Sequence, residues 1–183
     1  MAYAVNEVTE PLTLAEVKSY LHLNPDNDED LFLESLISAA REFCENRTGR
    51  TLTIQDREYY PAEFALIMPL PNPPIISVES IEYTNKNGVT QTMPKANYIV
   101  DSVDGEIALF DIPKFEPQIV TPIKISYKAG YTSLPKMIKE AMYLLIGHWY
   151  TNRTAVIAGN AAASREVELA ATTLLNQYKV WWY

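Results

Sequence analysis

In the stretch PKMIKEAMYLLIGHWY, residues 135–150, only His148 interrupts a run of apolar and aromatic side chains that begins at Ala141. Ile138, Met142, Leu145 and Trp149 recur three or four residues apart and form one helical stripe; Tyr143, Leu144, Ile146 and Tyr150 form a second. A helix that is apolar on two sides has to be covered on two sides. With about ten apolar residues it falls well short of the roughly 20 that a bilayer span requires. Two environments remain: a deep core, or a core that also meets a neighbouring subunit. Ser133 is the expected N-cap, and Pro135 falls in the first turn, where a missing N–H costs nothing.

The rest of the chain predicts helices at both ends of a β region. Thr13 to Glu16, TLAE, is a capping box that opens a short helix running to about Leu21. Pro25 and the acids of NPDNDED break the chain, and residues 28–30 supply N-cap candidates for a second helix over 28–48. Leu33, Leu36, Ile37, Ala40, Phe43 and Cys44 recur there at helical spacing, with Gly49 as the C-cap. From Arg50 to Tyr131 short runs of β-branched and aromatic residues alternate with proline and glycine, as antiparallel strands do. Leu52 and Ile54 open the first strand, and PLPNPP at 69–74 is a stiff connector. A hairpin carries Val78, Ile81 and Tyr83 into a turn at NKNG. Further strands are expected at 98–100, 106–110 and 122–127, the last alternating Ile123, Ile125 and Tyr127. Residues 151–164 lack a period and read as a loop that is mobile or ordered by a partner. A final helix over 165–178 presents Val167, Ala170, Leu174 and Tyr178 on one side, before the chain reaches Trp181, Trp182 and Tyr183. The expected class is α+β: one domain in which four helices, in segments 1–49 and 132–183, flank a central antiparallel region with a hairpin at 50–131.

Charge narrows the function classes. The net charge is −8, and residues 1–50 hold ten Asp and Glu against four Lys and Arg. Binding through phosphate contacts needs clustered cations, and here the cations are scattered, so no specific grip on DNA is expected. The acidic loop, with Asp26, Asp28, Glu29 and Asp30, reads either as a solvated face or as a wall that repels a polyanion. A single cysteine excludes a disulfide framework, and Cys44 is expected to be buried. No charged segment followed by an apolar one opens the chain, so cytoplasmic residence without a membrane is the expectation.

Chemistry-bearing motifs are missing. There is no G-x-S-x-G elbow, no HExxH and no glycine-rich phosphate loop. His22 and His148 lie far apart, and His148 reads as an uncharged core residue. The acidic loop lacks the glycine and closing glutamate of a calcium-binding EF-hand. No catalytic residue, metal or cofactor is therefore assigned, and an interaction protein is the leading class, with an uncharacterised enzyme as the rival.

Three segments carry a resemblance. LTLAEVKSYLHL with DEDLFLESLISAAREFCENRTGRTL, then PLPNPPIISVESIEYTNKNGVTQTM with NYIVD and GEIAL, then VTPIKISYKAGYTSLPKMIKEAMYLLIGHWYTNRTAV together resemble the head-tail connector, or adaptor, proteins of long-tailed bacteriophages and prophages. The resemblance spans roughly residues 12–178. It implies a structural virion protein, assembled in the host cytoplasm, of which about a dozen copies form a ring beneath the portal. Such a ring extends the channel through which DNA passes and offers a platform to a stopper or tail-completion protein; a tail-completion or neck protein with another partner is the nearest alternative. In such a ring the surplus apolar surface at Met142, Leu145, Trp149 and Tyr150 is expected to meet a neighbouring subunit, and Trp181, Trp182 and Tyr183, which the family pattern does not account for, are expected to anchor the subunit to the portal or a neck partner. Asp26, Asp28, Glu29 and Asp30 become candidates for the lumen or its rim. The family's Glu-Leu-Pro-like start of the last helix is replaced by Arg165-Glu166-Val167-Glu168-Leu169.

Overall fold

The computed structural model describes residues 2–4, 8–26, 28–85, 87–102, 105–114, 123–153 and 161–181, with backbone alone at 2–4 and 161–165. They divide into two compact units, a helical one formed by 10–52 and 133–183 and a β one formed by 1–9 and 53–132.

The helical unit holds α1 (Leu14–Tyr20), α2 (Asp30–Thr48), α3 (Lys136–Thr151) and α4 (Ala161–Asn176). The capping box forms as expected: Glu16 N donates to Thr13 Oγ1 at 3.2 Å, and Thr13 N donates to Glu16 Oε2 at 2.9 Å. In α2 the predicted stripe is buried at Leu33, Leu36, Ile37, Ala40 and Cys44, and Gly49 closes the helix in the left-handed region at φ +69°. Burial pushes the Cys44 thiol up to about 12, with Glu45 adding to it, so it stays an inert thiol. The centre of the unit is α3, which packs against both α2 and α4. Ile138, Ala141, Met142, Leu145 and Ile146 are all fully buried. The two-sided covering that its composition demands is thus supplied within the unit.

Arg41 is the main polar element of this unit. It is 7% exposed; its Nε donates to both Glu10 oxygens at 3.2 and 3.0 Å, and Nη1 to Glu45 Oε2 at 2.8 Å. Burial alone would lower its pKa, but Glu10 and then Glu45 outweigh that and the net shift is upward. The other Glu45 oxygen accepts from Leu52 N at 2.9 Å, which ties the chain after α2 back onto the helix.

The β unit holds β1 (Ala2–Ala4), β2 (Gln55–Tyr59), β3 (Ile67–Pro69), β4 (Ile75–Thr84), β5 (Thr90–Thr92), β6 (Tyr98–Asp101), β7 (Glu106–Leu109) and β8 (Ile123–Ala129). One sheet runs β1-β2-β8-β4-β5 and the other β3-β7-β6, with antiparallel pairings throughout. Met68, Ile107 and Leu109 from the smaller sheet, with Leu70 just past β3, share a core with Ile75, Val78, Ile81, Ile123, Ile125 and Tyr127 from the larger. On β8 the alternation of Ile123, Ile125 and Tyr127 is buried as predicted. On β4 the buried residues recur every third position, Ile75, Val78, Ile81, because irregularities at 75–77 and 78–80 reset the pleat. The hairpin turn forms with Asn85 Oδ1 accepting from Asn87 N and Val89 N, and Gly88 at φ +77°. Gly130 has no substitute: a Cβ there would lie 2.2 Å from Thr53 O.

Several boundaries differ from expectation, each for a local reason. Ser133 does not cap α3; Pro135 takes the N-cap position, and its carbonyl accepts from Ile138 N and Lys139 N. Helix α2 begins at Asp30 and not at 28, with no side-chain cap, because Glu29 is held by Arg153 and Asp30 by Lys18. Leu52 does not open a strand but is buried in the helical unit, and β2 starts at Gln55. Pro69 ends an edge strand, where the missing N–H leaves no gap in a ladder. The last helix starts at Ala161, inside the expected loop, and buries Ala171 and Leu175, one residue on from the predicted Ala170 and Leu174. Residues 154–160 of that loop lie outside the described residues.

Candidate functional site

With no motif of catalysis to follow, the candidate sites are surfaces. Four such regions are defined by the residues themselves, three in the helical unit and one in the β unit.

The first is the corner between α1 and α2. Lys18 reaches Asp30 Oδ1 at 2.6 Å and the Pro25 carbonyl at 2.5 Å. Beside it lies a cavity of about 570 Å³ lined by Leu14, Ala15, Lys18, Ser19, Leu23 and Asp30. Lys139 Nζ pairs with Glu16 Oε1 at 2.5 Å, and that bond, with the Thr13 backbone bond next, holds the Glu16 carboxyl down at about 2. Tyr20 stacks on Tyr143 with ring centroids 4.7 Å apart, and Gly147 leaves room for it, since a Cβ there would approach Tyr20 to 3.2 Å.

The second region joins the start of α2 to the end of α3. Arg153 pairs with Glu29 at 2.5 Å and lies over the Phe32 ring at 4.4 Å and the Tyr150 ring at 4.5 Å. Tyr150 Oη donates to the other Glu29 oxygen at 2.6 Å. Of the four acids expected at a lumen or rim, Glu29 and Asp30 are therefore each bound to a cation, while Asp26 and Asp28 are exposed.

The third region is the C-terminal segment, which folds back on the end of α2. Val180 N donates to the Thr48 carbonyl at 2.8 Å, Arg50 Nε to the Tyr178 carbonyl at 2.5 Å, and Arg47 Nη2 to Asn176 Oδ1 at 3.2 Å. Gln177 donates to Met137 Sδ. Trp181 stands out from this base, 65% exposed, with Lys179 Nζ 4.1 Å from its ring centroid. Trp182 and Tyr183 lie outside the described residues.

Two residues expected at a subunit interface are placed elsewhere. Met142 and Leu145 are fully buried within the helical unit, so neither has surface left for a second chain. Trp149 and Tyr150 are half-buried, Trp149 meeting Phe43 edge-on at 6.3 Å. His148 is also half-buried and shares a 3.1 Å contact between its Nδ1 and Asn152 Nδ2. His22 is exposed, at φ +55°, just past the end of α1. Among the described residues no three His, Cys, Asp or Glu side chains converge as a metal site would require.

The fourth region, which the strand reading did not single out, is the outer face of β3-β7-β6. Ile67 pairs with Ala108 and Ile99 pairs with Ala108, so one row across the three strands is apolar and exposed. Phe110 continues that side, and Glu106 with Asp101 closes the other end of the face. The signal was present: Ile67, Ile99 and Phe110 occupy the outward positions of strands whose inward positions are already apolar.

Residues 10–161 match the head completion protein family. The chain belongs to that family. No curated protein sequence matches the chain. Among solved structures, a chain from the neck of an empty gene transfer agent particle computed with C6 symmetry shares the fold at a TM-score of 0.78 and 19% identity, covering 100% of this chain and 97% of that one. A chain from the neck of a native particle of that kind, computed with C12 symmetry, aligns at 0.72 and 20% identity with the same coverage. A third, from the virion of the native gene transfer agent particle, aligns at 0.72 and 19% identity, again with the same coverage. Membership of that family makes the chain a head completion protein, and the solved structures share its fold. The expected α+β class of four helices and antiparallel sheets holds.

Proposed function

We propose that this head completion protein assembles as a ring of about a dozen copies at the portal vertex, extends the channel for DNA, and presents a platform to the next neck or tail component. The observation that carries the reading is the family match over residues 10–161. Its support is the likeness in fold to chains from particle necks computed with C6 and C12 symmetry. Ring subunits use two different patches, one on each flank, and this chain carries separate exposed patches on the C-terminal segment and on the small sheet. Portal protein, further copies of the chain and a stopper or tail-completion protein are its partners; DNA passes without being held. With a net charge of −8, the subunit repels a sliding polyanion at short range, and Asp26 and Asp28 are the acids best placed to act at a rim.

Electron microscopy of the purified full chain with and without portal protein tests this directly. The expected images are closed rings seated coaxially on the portal. A chain that stays monomeric and never enters particles would overturn the proposal. Retention on duplex DNA at physiological salt, with a steep loss at higher salt, would overturn the passive-channel part alone.

A further inference from the structure

Given the ring proposed above, we infer that it is closed by one heterologous contact: the outer face of β3-β7-β6 on one copy docks onto the Trp181 patch of the next copy. The small-sheet face offers Ile67, Ile99 and Phe110 at 59%, 57% and 63% exposure, around Ala108. Apolar residues scattered singly on a surface need no explanation, but three that share one sheet face as neighbours mark an interaction site. The occupant is selected by charge as well as by apolar contact. One end of the face carries Glu106 and Asp101 as neighbours across the strands, which favours an apolar occupant flanked by cations. The chain's own C-terminal patch has the complementary character: a projecting indole at Trp181, flanked by Lys179, with Arg47 and Arg50 holding the segment that bears it. Tryptophan is among the residue types enriched at interface hot spots, the segment before Trp181 is held to the end of α2 by the bonds of Tyr178 and Val180, and Lys179 beside it meets the acidic end of the sheet. A second copy is favoured over an unrelated partner because both halves of the contact occur in one chain. Two different patches per subunit are also what a closed ring requires, whereas a self-complementary patch would stop at a dimer.

The test replaces Trp181 with the photoreactive aromatic p-benzoylphenylalanine in the full chain. Labelled and unlabelled protein are mixed, and rings are isolated by native mass spectrometry or on portal before irradiation. Crosslinks between isotopically different copies, mapping to residues 66–69, 97–101 and 106–110, are expected. In a second arm, Ile99→Glu lowers ring formation at least tenfold with unchanged circular dichroism, while Ile76→Glu, at another exposed position of the β unit, leaves it unaltered. Intact rings whose inter-copy crosslinks fall elsewhere, or are absent, would overturn this contact and leave the ring standing. Crosslinks from Trp181 to the same position on another copy, in a dimer, would mean an isologous contact and overturn it too. Absence of any ring would overturn the proposed function first.

Discussion

The helical and β units dispose of their apolar residues in opposite ways. In the helical unit the most hydrophobic element, α3, is enclosed by its own neighbours, and Met142 and Leu145 are spent on the interior. In the β unit a sheet with an ordinary-looking sequence keeps Ile67, Ile99 and Phe110 at the surface after its core is complete. The density of apolar residues along a chain therefore locates the core, whereas interaction surface is marked by apolar residues at positions left over once the core is accounted for. The two units also differ in what holds polar groups: the helical unit buries Arg41 between Glu10 and Glu45, while ion pairs of the β unit such as Lys124–Glu58 at 2.7 Å stay half-exposed.

Leu145→Ala should produce the largest loss of folding stability, about 3 kcal/mol, because a fully buried side chain leaves a cavity in a tightly packed centre. Urea unfolding of the free chain measures it; a loss under about 1 kcal/mol would mean that α3 is not a core helix and would erase the contrast. Arg41→Met should cost about 2–3 kcal/mol, since it leaves the Glu10 and Glu45 carboxylates without their shared cation. Recovery of most of that loss in an Arg41→Met, Glu10→Gln double variant would confirm the network.

Glu16→Gln should have a smaller effect, under about 1 kcal/mol, because Glu16 and Lys139 are both partly exposed and the pair is screened. Its signature is in the pH dependence. The Glu16 carboxyl sits at about 2 against its ordinary 4.5, so its contribution is fully present above 4.5 and is lost as pH falls toward 2. The acid limb of stability in that window should be shallower in the variant. Ile99→Ser should be the mildest for the isolated chain, within about 0.5 kcal/mol, while it weakens assembly. A large stability loss there would place Ile99 in the core and remove the exposed face from the account.

Most of the elements were readable in the sequence because they rest on short-range physics. The Thr13–Glu16 box, the αL position at Gly49, the Asn85–Val89 turn and the alternation on β8 each need only a few adjacent residues. What escaped depends on distant partners. Asp28 was a sound N-cap candidate, but the start of α2 is set by the bonds of Glu29 to Arg153 and Tyr150, more than a hundred positions away in the chain. Leu52 looks like a strand residue, and only its bond to Glu45 and its burial in the helical unit show otherwise. On β4 the irregular pleat gives Ile75, Val78 and Ile81 a helix-like spacing that no period of two would find. The surface reading suffered most, because a sequence carries no direct sign of whether Met142 faces its own fold or another chain's. The family match supplied the head completion assignment, for which the chain carries no catalytic motif as a local sign.

Hydrogen exchange of the free chain against the assembled ring tests the central claim most directly, because it reads both units at once. The account predicts new protection at residues 66–69, 97–101, 106–110 and 176–181, and no change along 138–146, which are already protected in the free chain. Protection that appears instead along α3, with the small sheet and the C-terminal segment unaltered, would contradict it.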